Sequence, residues 1–238
     1  MSDYTNMSTY YDLIMTSGYY DYDAIVSHLV NFDQAESILE IGSGTGLILE
    51  RLTARRPLLQ LAGIDLTQAM LDIAIERLSS HPQIAMHLQN VTTLSLGRTY
   101  DLAFSYGGVW YFVPDESQTG FSMISHIRDE EDNQRGFDRV ADHLPIGGTL
   151  LLGIQSAHVD YVTSVANSME YSQRITPIPD GFRKDYALAD DGRTVMGQTI
   201  DYRTYAFVDA IDLLDKCGFE YRPPADGATP LFLEFSKR

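Results

Sequence analysis

Two acidic residues stand beside glycines or at a strand end in the first third of the chain. The stretch "ILEIGSGTGLILERL" places Gly42, Gly44 and Gly46 on alternate positions, and Glu40 lies two residues before the first of them. Asp65 ends the next apolar segment, "LAGID", 19 residues after Gly46. Glycines at such a turn let the backbone approach a ligand closely. The two carboxylates favour a ligand that carries hydrogen-bond donors or positive charge.

The spacing of the glycines excludes two common phosphate-binding turns. The dinucleotide pattern G-x-G-x-x-G needs glycine where this chain has Leu47, and no Lys-Ser or Lys-Thr pair follows the glycines as a phosphate loop requires. Glu40 would repel a pyrophosphate but would suit an amino group. Asp65 can accept from both hydroxyls of a ribose. A ribose and a positively charged amino group without phosphate describe S-adenosylmethionine.

Alternating strands and helices must position these residues. From Ser37 onward, apolar segments such as "SILEI", "LQLAGID", "IAMHLQ", "YDLAFSY" and "TLLLGIQ" predict strands. Between them, "TGLILERLTARR" and "TQAMLDIAIERLSS" predict helices, the second with Thr67 as N-cap. After a helix at "FVDAIDLLDKCG", "FEYRP" and "PLFLEFS" predict two last strands. The pattern is typical of a doubly wound α/β sheet with helices on both faces.

Two segments interrupt or precede this pattern. Residues 156–203 are polar and irregular, and Asp191-Gly192 within them predicts a β-hairpin. The first 30 residues hold six of the 15 tyrosines and precede the first strand. We therefore predict a lid at 1–35, a sheet domain at 36–155 and 204–238, and an insertion at 156–203 that carries a hairpin over the sheet edge.

Four motifs carry a family resemblance. "LEIGSGTG", "GIDLTQAML", "YDLAFS" and "LPIGGTLLLGI" resemble, in this order and spacing, the motifs of class I S-adenosylmethionine-dependent methyltransferases. The segment "YRTYAFVDAIDLLDKCGFE" resembles the end of that family's domain, where a helix leads into an antiparallel strand pair. The resemblance implies a Rossmann-like sheet of seven strands, with the last strand antiparallel, and S-adenosylmethionine as cofactor.

The resemblance also implies cofactor-binding roles for residues in these motifs. Gly42, Ser43 and Gly44 would pass under the methionine and ribose parts of the cofactor. Glu40 would receive its amino group, and Asp65 would hold its ribose hydroxyls.

The adenine and methionine ends depend on later motifs. Leu66 and Met70 would lie against adenine, although Met70 could be a packing residue. The amide oxygen of Asn90 would accept from the adenine amino group beside the N–H of Val91, unless Asn90 is a turn residue. The backbone of Ser105 and Tyr106 would face the methionine part.

The amino-terminal segment "STYYDLIMTSGYYDYDAIV" resembles the lid of small-molecule methyltransferases, including those that methylate amino sugars. On that pattern Tyr11 and Tyr22 would contact the cofactor, whereas we expect Tyr4 and Tyr10 to pack on the sheet. Aromatic faces attract a sulfonium cation. A second aromatic cluster, "SYGGVWYF", follows the fourth strand. The predicted substrate-side residues are Tyr19, Tyr20, Trp110 and Tyr111, with a core position as the alternative for Trp110.

The sequence assigns no catalytic base and no metal ligands, because its six histidines are scattered and none stands in a recognisable motif. An amine nucleophile that needs only positioning fits this pattern. The first hypothesis is methyl transfer to an amine or hydroxyl of a small molecule in natural-product metabolism, with S-adenosylhomocysteine as product. The second is a cyclase of the same fold, such as an azetidine-2-carboxylate synthase, which releases methylthioadenosine. The third is a non-catalytic sensor of the cofactor.

The charge balance limits the partners. The net charge is -16, from 17 basic and 33 acidic residues. It disfavours nucleic acid, which needs clustered Lys and Arg, and an anionic membrane surface. A single cysteine and the lack of a basic, apolar leader predict a cytoplasmic protein, either monomeric or homodimeric.

Overall fold

The computed structural model describes residues 4–115, 120–224 and 230–238. Their strands are β1 (Ser37–Ile41), β2 (Gln60–Asp65), β3 (Ala85–Leu88), β4 (Leu102–Ser105), β5 (Trp110–Asp115), β6 (Gly120–Ser125), β7 (Thr149–Gly153), β8 (Tyr161–Ser164), β9 (Glu170–Ile178), β10 (Gly181–Asp190), β11 (Arg193–Ala206), β12 (Phe219–Arg222) and β13 (Phe232–Lys237). The α-helices are α1 (Ser8–Ile14), α2 (Tyr22–Val30), α3 (Leu47–Arg55), α4 (Gln68–Arg77), α5 (Glu130–Asp142) and α6 (Phe207–Lys216).

Seven of the strands form the predicted sheet, in the order β12-β13-β7-β4-β1-β2-β3. β13 runs antiparallel to both of its neighbours, while β7, β4, β1, β2 and β3 pair in parallel. The prediction of a Rossmann-like sheet with an antiparallel last strand is confirmed. Strand order reverses at β1, which lies between β4 and β2. In open α/β sheets a ligand binds beyond the carboxyl ends of the strands at such a point.

Helices cover both faces of this sheet because its strands are apolar on both sides. Ile38 of β1 belongs to a core cluster with residues of α2 and α3. Its neighbour Leu39 belongs to a second cluster with residues of α5 and α6. Glu40 shares the face of Ile38, so its side chain lies on the side of α3 and the amino-terminal segment. No helix of the described residues has the length and apolar content needed to cross a membrane.

A second, antiparallel sheet has the order β5-β6-β11-β10-β9-β8. The predicted hairpin is confirmed as β10 and β11, joined at Asp191 and Gly192, whose φ angles are 48° and 74°. The hairpin is only part of this sheet, because β5 and β6 precede the predicted insertion and β11 pairs with β6. The aromatic residues from Trp110 to Phe112, which belong to the cluster predicted on the substrate side, form β5.

The predicted lid consists of α1, a π-helical turn at Met15–Tyr19, and α2. Gly18 has a φ of +93°, which ends the turn and lets the chain change direction before α2. The carboxylate of Asp21 caps α2 by accepting from the N–H of Ala24 at 2.9 Å. The segment reaches from the glycine turn, where the ring of Tyr11 lies beside Gly44, to the second sheet, where the hydroxyl of Tyr19 accepts from Lys184 of β10 at 2.8 Å.

Candidate cofactor and acceptor site

A cleft, here the cofactor cleft, opens at the carboxyl ends of β1, β2 and β4. Its lining residues among those described are Tyr4, Tyr11, Gly42, Gly44, Ile64, Asp65, Leu66, Met70, Gln89, Val91, Gly107, Gly108, Val109 and His126. Seven of these are predicted cofactor-binding residues: Tyr11, Gly42, Gly44, Asp65, Leu66, Met70 and Val91. The structure thus brings predicted residues from three separated segments and the lid to one place.

The glycine turn is packed against the loop that follows β4. A Cβ added to Gly42 would lie 2.7 Å from Cα of Gly108, and the φ of Gly42 is +75°. The N–H groups of Gly42 and Ser43 both donate to the carbonyl of Ile64 at 2.9 Å. Only glycine meets both the dihedral angle and the close backbone approach. The turn can therefore present its backbone, rather than side chains, to the cleft.

Glu40 is a buried carboxylate with an unused acceptor. It is 3% exposed, and its Oε2 has no hydrogen-bond partner. Burial, followed by the nearby charge of Asp65, raises the pKa of Glu40. Burial also raises the pKa of Tyr22, and Glu40 adds to that rise, so this lid tyrosine lies within electrostatic reach of the carboxylate. A buried oxygen without a donor is rare and fits a ligand that brings one.

Asp65 is held in place at the end of β2. Its Oδ2 accepts from the N–H of Gly44 at 2.9 Å, and its Oδ1 accepts from the N–H of Thr67 at 2.8 Å. Burial raises the pKa of Asp65, and these hydrogen bonds oppose the rise. The carboxylate is therefore held in an orientation in which it could accept hydrogen bonds from a pair of hydroxyls.

Of the two roles that the sequence left open for Asn90, adenine contact or turn residue, the structure agrees with the turn residue. Its Oδ1 accepts from the N–H of Thr92 at 3.0 Å and from the hydroxyl of Thr92 at 2.9 Å. These two bonds use both lone pairs and cap the 3-10 turn Val91–Thr93, so Asn90 is a turn residue. Gln89, one residue earlier, lines the cleft instead.

The cleft wall after β4 also lies further along the chain than predicted. Ser105 is fully buried, and the ring of Tyr106 packs on Gly153 while its hydroxyl donates to the carbonyl of Ile154 at 3.3 Å. Gly107 and Gly108 form the wall. Neither glycine was among the predicted site residues, although the pair is visible in "SYGGV".

A second cavity, here the tyrosine chamber, adjoins the cleft. Its lining residues are Tyr4, Tyr11, Met15, Tyr19, Tyr20, Gly107, Tyr111, His126, Gln155, His158, Tyr186 and Tyr202. Tyr4, Tyr11, Gly107 and His126 line both cavities. The space left in the chamber is about 20 Å³, enough for about one water molecule. Three predicted substrate-side residues, Tyr19, Tyr20 and Tyr111, meet here.

The chamber leads outward to a wider opening, here the vestibule. Tyr19, Tyr20, Gln155 and His158 line both spaces. The hydroxyl of Tyr20 donates to Oε1 of Gln155 at 3.3 Å, and a Cβ added to Gly107 would lie 2.2 Å from that hydroxyl. The glycine therefore allows the lid tyrosine to close between cleft and vestibule.

Trp110 is a core residue, so its predicted role beside the substrate is wrong. Its ring is fully buried and stacks on Phe137 with centroids 4.0 Å apart. Its indole N–H donates to Oδ1 of Asn133 at 2.7 Å. With its polar atom satisfied inside the protein, the side chain has no contact to offer a ligand.

Sequence reasoning missed several chamber residues. Tyr4 was expected to pack on the sheet, yet it lines both cavities, and its N–H donates to Oγ1 of Thr67 at 3.2 Å. Lys184 is fully buried beside the chamber. Its position could have been found, because Phe182, Lys184 and Tyr186 alternate along β10 on its inward face.

Charged residues fasten the lid to the glycine turn. The hydroxyl of Thr45 donates to Oδ1 of Asp12 at 2.6 Å, and Arg77 of α4 pairs with the other oxygen of Asp12. Arg77 also donates to the carbonyl of Thr45 at 2.8 Å and pairs with Glu50.

The described residues contain no group of three or more His, Cys, Asp or Glu side chains that could hold a metal ion.

Comparisons with known proteins agree with this geometry. Residues 38–129 match the family described as "Methyltransferase domain". Malonyl-[acyl-carrier protein] O-methyltransferase 1 of Ilyobacter polytropus is 32% identical over 91 residues, which are 38% of this chain and 32% of that protein. Residues 38–129 thus resemble a methyltransferase domain. This chain matches about a third of the length of that curated relative.

Solved structures extend the likeness of this methyltransferase fold to nearly the whole chain. The sugar N-methyltransferase KedS8 from Streptoalloteichus sp. ATCC 53650 has a TM-score of 0.70 at 22% identity, covering 96% of this chain and 92% of that one. CalS10, an amino pentose methyltransferase from Micromonospora echinaspora, has a TM-score of 0.72 at 17% identity, with 96% of both chains covered. At these identities the likeness concerns the fold, including the lid and the second sheet.

The similarity to methyltransferases implies S-adenosylmethionine, which is bound in the CalS10 structure, and the residues of this chain fit that cofactor. The unpartnered Oε2 of Glu40 matches an amino group that needs an acceptor. The fixed carboxylate of Asp65 would suit the ribose hydroxyls, and Leu66, Met70 and Val91, which line the same cleft, would offer an apolar surface to adenine. Gly42 and Gly44 leave room for the backbone to approach the methionine part.

Proposed function

We propose that this protein binds S-adenosylmethionine in the cofactor cleft and transfers its methyl group to a small-molecule nucleophile in the tyrosine chamber. The observation that carries the proposal is the wall shared by the two cavities, at Tyr4, Tyr11, Gly107 and His126. When bound, the cofactor supplies an electrophilic carbon on a sulfonium, whose bond to sulfur breaks with the electron pair staying on sulfur. The protein then has to position the two reactants and exclude water.

Lid and chamber residues serve these two tasks. Burial raises the pKa of the Tyr11 and Tyr20 phenols, so both stay neutral hydrogen-bonding groups near the reacting centre. Their aromatic rings offer negative faces to a sulfonium. In the proposal Tyr11 and Tyr22 contact the cofactor, while Tyr19, Tyr20 and Tyr111 surround the acceptor.

The nucleophile we propose is an amine. KedS8 is a sugar N-methyltransferase and CalS10 an amino pentose methyltransferase, and both share the fold of this chain. His126 and His158 line the chamber, and burial lowers the pKa of each to about 3. Neutral, buried imidazoles do not repel a cationic sulfonium. An amine needs little more than such an environment, whereas a hydroxyl needs a base to activate it.

A second candidate keeps the cofactor and changes the bond that breaks. The chamber leaves about 20 Å³, so a separate acceptor can enter only if the lid moves. The cofactor's own amine attacking its aminocarboxypropyl chain would need no second substrate, and would release methylthioadenosine and a four-membered cyclic amino acid. The tight, tyrosine-lined space is the observation that favours this cyclase.

Incubation of the protein with S-adenosylmethionine alone separates the candidates. Mass spectrometry of the mixture is expected to show intact cofactor, and a screen of amine and hydroxyl acceptors is then expected to yield S-adenosylhomocysteine. Release of methylthioadenosine with an equimolar cyclic C4 amino acid would replace methyl transfer by cyclisation. Tight binding without turnover of any acceptor would instead indicate a sensor.

A further inference from the structure

Lys184 is a buried cation that the proposed function does not use. Its side chain is fully buried on β10, on the face turned to the tyrosine chamber. Among the residues that the structure describes, no carboxylate lies within ion-pair distance of it. Buried lysines without a counter-charge are costly and occur mostly where they have a function.

Lys184 contacts two residues that line the chamber, Tyr19 and His158. Its Nζ lies 2.8 Å from the hydroxyl of Tyr19 and 3.4 Å from Nδ1 of His158. The other ring nitrogen of His158, Nε2, lies 2.7 Å from the hydroxyl of Tyr111. Tyr111 lines the chamber. The three side chains thus form a continuous path of hydrogen bonds from the chamber to a buried amine.

We propose that Tyr111, His158 and Lys184 form a proton relay that takes the proton released when an N–H nucleophile in the chamber is alkylated. The relay rests on the proposed function, and it applies whether the nucleophile belongs to a separate acceptor or to the cofactor itself. Tyr111 touches the substrate, whereas His158 and Lys184 act through it as positioning residues.

The proton balance is complete without any further reactant. Alkylation leaves the nitrogen with one proton more than its neutral product holds. That proton passes to the oxygen of Tyr111 as Tyr111 gives its own to Nε2 of His158. His158 in turn gives its Nδ1 proton to Nζ of Lys184, which becomes an ammonium. Tyr19, which lines both the chamber and the vestibule, provides the next hydroxyl toward the outside.

The surroundings of Lys184 suit the role of proton acceptor. Burial lowers the pKa of Lys184 to about 7, so a neutral amine is accessible near neutrality. Burial, then Lys184 and His126, lower the pKa of His158 to about 3, so the imidazole stays neutral. The titratable groups that face Lys184 are His158, His126, Tyr19 and Tyr186, whose ring centroid lies 4.6 Å from Nζ.

The relay requires a change of tautomer at His158. An ammonium has no lone pair, so protonated Lys184 can only donate to Nδ1, and the imidazole proton then sits on Nε2. Neutral Lys184 can accept from Nδ1–H, which leaves Nε2 free to accept from Tyr111. The tautomer of His158 should therefore follow the charge of Lys184.

The first test needs no turnover, and it uses a variant only to assign signals. In ¹⁵N-histidine-labelled wild-type protein without cofactor, NMR between pH 6 and pH 9 is expected to show the proton of His158 moving from Nε2 to Nδ1, with a midpoint near the pKa of Lys184. The His158 signals are assigned by their loss in His158→Gln. The same tautomer throughout the range would overturn the relay.

The second test is the pH profile of turnover. The kcat/KM of the wild type is expected to rise with pH through about 7, because neutral Lys184 is the competent form. Lys184→Met should lose this rise and about 100-fold or more of the rate, with cofactor binding unchanged. Lys216→Met, on the helix α6, is the matched control and should behave as the wild type. Loss of cofactor binding in Lys184→Met with an unchanged pH profile would mean a structural role and overturn the relay.

The two tests separate failure of the relay from failure of the proposed function. If the wild type binds cofactor but turns over no substrate, the proposed function fails. The tautomer of His158 then still shows whether the hydrogen bonds of Tyr111, His158 and Lys184 switch with the charge of Lys184. If turnover occurs and the tautomer is fixed, the relay alone fails.

Discussion

The cofactor cleft and the tyrosine chamber share a wall but are built in opposite ways. The cleft is built around backbone turns at consecutive strand ends, with Gly42 and Gly108 packed against each other, and long side chains such as Tyr11 and Met70 complete its lining. The chamber is formed by long side chains from the lid, β5, β10, β11 and two loops. The cleft is fixed by dihedral angles and close backbone contacts, and the chamber by how distant segments meet.

In the proposed function, the cleft would bind a cofactor that many enzymes share, and the chamber would determine which substrate is accepted. A backbone-built cleft accepts few substitutions and suits a ligand that many proteins bind. A chamber built from side chains can change its occupant by exchange of single residues. Four predictions sharpen the comparison, in order of decreasing expected effect.

Gly42→Ala should cause the largest loss, because it combines a left-handed φ with a backbone contact at 2.7 Å. We expect the free energy of unfolding to fall by about 3 kcal/mol or more, measured by chemical denaturation. Gly97→Ala is the matched control, since Gly97 has a φ of +67° but no atom within 4 Å of an added Cβ. The free energy of unfolding of this control should fall only by the cost of the left-handed φ, about 1–2 kcal/mol. Equal losses would contradict the close-packed turn.

Asp65→Ala should weaken cofactor binding by about 1–3 kcal/mol, because it leaves donors of the ligand and of the turn without an acceptor. Calorimetric titration with S-adenosylmethionine measures the change. Asp72→Ala, at an exposed position of α4, should bind as the wild type does. Unchanged affinity in Asp65→Ala would remove Asp65 from the cofactor site.

Glu40→Gln should weaken cofactor binding and yet stabilise the free protein by about 1 kcal/mol at pH 8. Burial raises the pKa of Glu40 above its unfolded value. The wild type therefore loses stability as pH rises from the ordinary carboxyl range through the folded pKa, and the variant does not. Thermal unfolding of both proteins from pH 4 to pH 8 checks this prediction. If the melting temperatures of the two proteins change with pH in parallel, ionisation of Glu40 does not destabilise the fold.

Asp12→Asn should have the smallest effect, below about 1 kcal/mol, because Asp12 and Arg77 are partly exposed. Loss of the pair should loosen α1, seen as faster proteolysis of the first 35 residues. Asp23→Asn, which removes an exposed pair with Arg55, should leave proteolysis unchanged. Identical cleavage rates in both variants would show that the charged contact does not hold the lid.

The sheet and the cleft could be predicted because short sequence segments, the apolar strands and the motifs that follow them, determine both. The strand "SILEI" coincides with β1, and the alternate glycines and Asp65 lie where the motifs placed them. Their neighbours in space are close in sequence or follow the regular order of a doubly wound sheet. The sheet order β4-β1-β2 then brings Glu40, Asp65 and the loop after β4 together.

The chamber could not be predicted in the same way, because pairings between distant strands create it. Tyr111 and Lys184 are 73 positions apart, and His158 connects them only after β5, β6, β11 and β10 have paired side by side. Asn90 and Trp110 show the same limit at single residues. The sequence alone does not distinguish a capping asparagine or a core tryptophan from a ligand-binding one. Only the hydrogen bonds of Asn90 with Thr92 and of Trp110 with Asn133 show that the two side chains serve the fold.

The central claim is that the cleft between the glycine turn, Asp65 and the lid binds S-adenosylmethionine. Calorimetric titration of the wild-type protein with S-adenosylmethionine, ATP and NAD tests it directly. We predict one S-adenosylmethionine per chain and no binding of the two phosphate-bearing ligands, which Glu40 and Asp65 would repel. Absence of S-adenosylmethionine binding by folded protein, or preference for ATP or NAD, would contradict the account.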